Sequence, residues 1–154
     1  IALSRRGATD EEVHLATRVA CIHDSILEFD KGYETVVGER GVTLSGGQRQ
    51  RVAIARALLQ EPDILVLDDA LSAVDTRTER LILEAMRDRH GKQTTIVIAH
   101  RLSTLTAADD IIVLDHGGII QRGTHETLIT EDGMYRRLWE IQTTIESTEE
   151  EGRA

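Results

Sequence analysis

A chain of 154 residues has the size of one ordinary domain and can bury a core of its own. Its formal net charge of −9 and pI of about 5.1 argue against a nucleic-acid-binding face, which would need a basic stripe. The single cysteine, Cys21, excludes an internal disulfide and lies in no metal-ligand spacing, so it reads as a small core residue in a reducing compartment.

No apolar run approaches the ~20 residues needed to span a bilayer, and the opening IALSRRGATD has no signal-peptide architecture. Taken alone, the chain is expected to be soluble and cytosolic. It starts without Met, and IALS reads as the interior of a longer polypeptide.

Along the chain, DEEVHLATRVACIH at 10–23 spaces Val13, Ala16, Val19 and Ala20 at the helix period, with acids in the first turn where they suit the helix dipole. The connector KGYETVVGERG is too broken by glycine for a long element. A second helix is predicted from Ser45 to about Gln60, with Val52, Ala55 and Leu59 on one side and Pro62 as its stop. Three short β-type runs follow: ILVL at 64–67, TTIVIA at 94–99 and DIIVLD at 110–115. Between the first two, Leu81, Ile82, Ala85 and Met86 recur at helical spacing; the second and third leave room for one or two helical turns. Strands apolar on both faces and joined by helices predict a parallel sheet with right-handed crossovers, an α/β architecture. After Asp115, HGG leads into GIIQRG, which reads as an antiparallel hairpin. Thr124 can cap a short helix, a terminal helix is predicted over 134–143, and the acidic ESTEEEGRA is expected to be disordered.

In an open parallel sheet, ligands bind beyond the carboxyl ends of the strands. ILVL ends in Asp68 and Asp69, and TIVIA in His100, so neighbouring strands would place two acids and a histidine in one crevice. Each of these residues alone is as readily structural. LSGGQRQRVAIARALL, starting at Leu44, adds a third element: Ser45 followed three residues later by Gln48 is a capping box. Capping does not require Gly46 and Gly47 inside the first turn, where each costs about 0.5–1 kcal/mol relative to Ala. Close approach of another group to the backbone explains them better, and an exposed helix N-terminus favours an anion such as phosphate.

LSGGQ, a helix, four apolar residues ending in Asp, SAVD, and a strand ending in His resemble the ATP-binding cassette (ABC) ATPases in order and spacing. TVVGERG at 35–41 is similar to the segment that ABC exporters place before this signature. The resemblance covers residues 1–141. It implies a P-loop NTPase-like, mostly parallel sheet with flanking helices and an α-helical subdomain, lacking the N-terminal P-loop portion. Residues 1–44 would form the helical subdomain, 45–141 the C-terminal part of the ATP-binding core, and 142–154 an acidic tail.

Further implications of the resemblance concern the site. Asp68 matches the aspartate that holds Mg²⁺ through water, and Asp69 stands where the family usually has the glutamate acting as general base. His100 matches the histidine that contacts the γ-phosphate. Ser45, Gly46, Gly47 and Gln48 match the signature that closes over ATP held by a partner subunit, and Asp75 belongs to the loop crossing the dimer interface. The implied function is ATP hydrolysis at the cytoplasmic face of the cell membrane, powering export. The implied partners are a second nucleotide-binding domain and the transmembrane domains, with no nucleic acid.

The sequence departs from the family pattern in two places. No window satisfies G-x-x-x-x-G-K-[ST]; the lysines are Lys31 and Lys92, and after Gly41 and Gly46 come Gly47 and Gln48. The chain therefore resembles the C-terminal portion of a nucleotide-binding domain, with negligible ATP affinity and no activity expected by itself. The second departure is Asp69 in place of Glu. The two acids have similar basicity, but the shorter side chain withdraws the carboxylate, and a misplacement of ~1 Å can cost on the order of 10²-fold in rate. Asp here resembles the weakly hydrolysing half of a heterodimeric exporter, which favours a heterodimer over a homodimer; the retained His100 argues the other way. An alternative with the same motif set is the C-terminal lobe of an SMC-type chromosome-maintenance ATPase. Against it stand the absence of heptads before residue 44, the acidic balance and TVVGERG.

Overall fold

A computed structural model describes residues 1–38, 41–87, 93–99 and 101–151, with side chains through residue 145. The chain divides into two units, Ile1–Ile98 and Ala99–Ala154.

In the first unit, Thr9 caps α1 (Asp10–Val19) through a reciprocal pair: the Glu12 amide donates to Thr9 Oγ1, and the Thr9 amide to the Glu12 carboxylate. The helix predicted to run to residue 23 breaks at Cys21, which adopts a left-handed φ of +51° before α2 (His23–Leu27). The break seats both Ala20 and Ile22 in the core at zero exposure, a placement that one continuous helix would not give to residues two apart. α3 (Gly46–Leu58) starts at Ser45 as expected, buries Ile54, Ala55 and Leu58, and stops ahead of Pro62. β1 (Ile64–Asp68) and β2 (Thr94–Ile98) pair in parallel, with Ile64 beside Thr94 and Asp68 beside Ile98, and α4 (Thr76–Arg87) connects them.

The core of this unit gathers Val13 and Ala16 of α1, Ile54 and Leu58 of α3, Leu65 and Leu67 of β1, and Ile82 and Met86 of α4. Alternate residues of the same sheet, Ile64, Val66, Ile96 and Ile98, face the other way and remain 48–61% exposed. The composition had implied a sheet apolar on both faces, and one of those faces is covered in this structure.

The second unit holds a 3₁₀ turn (Leu102–Leu105), β3 (Ile111–Asp115), β4 (Gly118–Gly123), α5 (His125–Leu128) and α6 (Met134–Glu151). Sequence reading put β3 in the parallel sheet with β1 and β2. Among the described residues it pairs only with β4, antiparallel. The hairpin itself is as expected: His116 and Gly117 both have positive φ, +46° and +81°, and such a two-residue loop returns the chain antiparallel. Thr124 caps α5 as predicted. α6 runs beyond residue 143 to Glu151, so the acidic stretch expected to lack structure is helical to that point; glutamate is a good helix former. Leu102, Ile111, Leu128 and Tyr135 form the core, and the Tyr135 hydroxyl meets His125 Nδ1 at 2.9 Å. Among the described residues no helix is long and apolar enough to cross a membrane.

Ile82, fully buried, and Ile112, 49% exposed, provide a test of this packing. Ile82→Ala is expected to cost about 2–5 kcal/mol in urea unfolding and Ile112→Ala under about 1 kcal/mol. Equal losses would contradict the assignment of the core.

Candidate functional site

The site is built on the first turn of α3. Ser45 Oγ accepts the Gln48 amide at 3.2 Å, and Gln48 Oε1 accepts the Ser45 amide at 2.9 Å, so the predicted capping box is formed. The two glycines after Ser45 are explained by what lies against them. A Cβ at Gly47 would come within 2.7 Å of the Ala73 carbonyl oxygen, and one at Gly46 within 3.4 Å of Ala73 Cβ. The close approach read from the sequence is therefore made, inside this chain, by the segment that follows β1. Where the two elements meet they leave a cleft of about 430 Å³, lined by Ser45, Gly46, Gly47, Arg51, Ala73, Val74 and Asp75.

Asp68 is the exposed last residue of β1. Asp69 donates its amide to Ile98 O at 3.3 Å and then turns the chain out of the sheet at a left-handed φ of +50°. A residue other than glycine held in that region costs about 1–2 kcal/mol, less for Asp, whose short side chain can bond locally. The Asp69 carbonyl accepts Ser72 Oγ at 3.0 Å and the Ser72 amide at 3.3 Å, which closes the turn. β1 and β2 are neighbours, as expected of the strands that end in the acids and the histidine. His100 itself lies outside the described residues.

Asp75 has a local role that the motif reading did not include. Its Oδ1 accepts the Thr78 amide at 2.9 Å, and its carbonyl accepts the Glu79 amide, so it caps α4. The Thr78 N–H and then the Thr78 hydroxyl hold its carboxyl below the ordinary aspartate value, with a smaller contribution from the Arg51 charge. The signal was present in the sequence as an Asp directly before a periodic helix.

Arg51 and Gln50 were missed. Both follow Gly47 by one helical turn and so share its face of α3, yet polar residues in a helix read as solvent-facing. Arg51 donates to the Cys21 carbonyl at 2.5 Å, tying the end of α1 to the cleft. Cys21 is partly buried against the core, and burial pushes its thiol up, which agrees with a packing residue and not a nucleophile.

Among the described residues, no group of three or more His, Cys, Asp or Glu side chains is arranged to hold a metal ion. Mg²⁺ takes most of its ligands from water and phosphate, with one or two carboxylates from the protein. A solvent-facing strand-end carboxylate such as Asp68 fits that demand.

The ABC transporter family model matches residues 9–72, which include α1, α3, β1 and the turn after it. A solved bacterial Atm1-family ABC exporter with ATP bound superposes with a TM-score of 0.84 at 50% identity, covering 92% of this chain and 25% of that one. Over 92% of its length the chain is similar to the ATP-binding proteins of ABC transporters, and its residues 9–72 match that family's model. It is 52% identical over 142 residues to ATP-binding cassette sub-family B member 6 of Mesocricetus auratus, and 54% identical over 142 residues to the multidrug resistance-like ATP-binding protein MdlA of Escherichia coli K12. Each match covers 92% of this chain, which spans 17% and 24% of those relatives. The SMC-type alternative finds no support among these ABC proteins.

Two outcomes follow from this geometry. Gly47→Ala drives a Cβ into a backbone carbonyl and is expected to cost about 1–3 kcal/mol on unfolding, while Gly46→Ala, in near-ordinary contact, costs under about 1 kcal/mol; the reverse order would show the close approach to be misplaced. A carboxyl made more acidic by folding stabilises the fold above its ordinary value, 3.8 for Asp75, and that stabilisation fades as pH falls through the lower folded value. Asp75→Ala should accordingly lower the unfolding midpoint at pH 7, and the deficit should shrink as pH falls through the lowered folded value. A deficit that persists at acid pH would rule out the charged cap.

Proposed function

We propose that this chain supplies the signature, magnesium-binding and interface-loop elements of an ABC exporter's ATP-binding subunit. The whole protein would couple ATP hydrolysis at the cytoplasmic membrane face to export. The observation that carries this reading is the cleft in which the capped N-terminus of α3 meets residues 73–75. It occurs in a chain that is 50% identical, over 92% of its length, to an exporter solved with ATP bound.

In this reading Ser45, Gly46, Gly47 and Gln48 present the helix N-terminus to the γ-phosphate of ATP held by a partner nucleotide-binding domain. An N-terminus with a hydroxyl cap suits a phosphate for the reason given by the backbone N–H groups and the helix dipole. Asp75 lines that cleft and would face the partner. Asp68 would hold Mg²⁺ through water; the ion, when bound, neutralises charge on the phosphates. Asp69 occupies the position of the base that orients the attacking water, and His100 that of the γ-phosphate contact. Phosphoryl transfer depends on positioning and charge stabilisation, so dividing these groups between two subunits makes docking the switch. The transmembrane domains would take up the resulting motion. The boundary at residue 44 between a helical subdomain and the ATP-binding core belongs to the same proposal.

Asp69 favours a heterodimer. A carboxylate one methylene short leaves its own site weak, while the intact LSGGQ completes the site whose P-loop belongs to the partner. In the full-length pair, Asp69→Glu is expected to raise hydrolysis, and Gln in place of the partner's matching acid to abolish most of it. Near-normal ATPase activity after the partner's replacement would refute the asymmetric reading. The isolated chain of 154 residues is expected to bind ATP negligibly; tight binding in a nucleotide titration would refute the division of the site.

A further inference from the structure

The side chain of Gln50 makes contacts that neither helix stability nor the proposed site requires. From the second turn of α3, Nε2 donates to Ser72 Oγ at 2.9 Å and to the Asp69 carbonyl at 3.3 Å, while Oε1 accepts the Ala73 amide at 2.8 Å. These contacts use both amide hydrogens and the carbonyl, and they define the amide's orientation. Exchanging its oxygen and nitrogen would set two donors against each other at Ala73. Ser72 Oγ spends its own proton on the Asp69 carbonyl, so it is free to accept from Gln50. Three residues earlier on the same helix, Gly47 lies against the Ala73 carbonyl. One face of α3 therefore grips both the amide side and the carbonyl side of Ala73.

We propose that Gln50 is a positioning residue that locks the α3 N-terminus to residues 69–73, so that the signature and the turn carrying Asp69 move as one body. This rests on the function proposed above. Asp69 is held at a left-handed φ, and Gln50 supplies one of the bonds to its carbonyl. Release of the lock lets Ser45 to Gln48 shift relative to Ser72 and Asp69. Both groups face reacting phosphates in the closed dimer, so a shift of ~1 Å is enough to cost on the order of 10²-fold in turnover. Ground-state capture of ATP by the partner's P-loop does not involve this joint. The lock therefore bears on kcat and not on nucleotide affinity, whichever of the two sites is the competent one.

The test uses the full-length exporter with its partner, comparing Gln50→Ala and Gln50→Glu with the unmodified protein. Gln50→Ala is expected to lower kcat for ATP about 10- to 100-fold with KM changed less than about threefold, and to speed amide hydrogen exchange at Ala73. Gln50→Glu keeps the acceptor for the Ala73 amide but loses both donors. It is expected to lower kcat similarly while leaving Ala73 exchange slow, which also covers the case in which the alanine variant fails to fold. Unchanged kcat in both variants, or a raised KM at unchanged kcat, overturns the proposal. An assembly whose turnover survives Gly47→Arg in this chain contradicts the functional reading itself. Loss with Gly47→Arg alongside normal turnover with both Gln50 variants removes only the lock.

Discussion

The contact between Gly47 and the Ala73 carbonyl constrains everything else in the candidate site. A helix N-terminus and a loop leaving a strand can share one cleft only if no side chain stands between them, and a Cβ at 2.7 Å from a backbone oxygen would. Glycine at that position lowers helix propensity, and the cost is offset by what the approach brings together. Ser45, Arg51, Ala73 and Asp75 line one space, although the motifs that contain them are separated by the length of α3 and β1.

The same contact explains how chemistry at a strand end is joined to recognition at a helix start. β1 is anchored by Leu65 and Leu67 against α1, α3 and α4, so Asp68 is fixed by the core. Beyond it the backbone leaves the sheet at Asp69 with a left-handed φ. Its carbonyl accepts from Ser72 within the turn and from Gln50 on α3. Asp75 then begins α4, which returns to the same core through Ile82 and Met86. Rigid elements thus stand at both ends of the segment from Asp69 to Asp75, and the segment has little freedom of its own.

Much of this was legible in the sequence because the signals are local. The capping box at Ser45 and Gln48, the glycines after it, the Pro62 stop and the Thr124 cap each depend on a few adjacent residues, and each is formed or respected in the structure. What escaped was set by partners distant in sequence. The break at Cys21 is invisible to an apolar period that continues through it; burial of both Ala20 and Ile22 is what selects the kink. Gln50 and Arg51 read as solvent-facing because their targets, the backbone at residues 69–73 and at Cys21, carry no side-chain signal.

The central claim is that the N-terminus of α3 completes an ATP site whose phosphate-binding loop belongs to another chain. Disulfide trapping tests it most directly, using Ser45→Cys in an otherwise cysteine-free full-length exporter together with a cysteine in the partner's P-loop. The account expects a cross-link between the two chains that forms with ATP and falls away without it. A cross-link indifferent to ATP, or none at all in a transporter that still hydrolyses ATP, would contradict it.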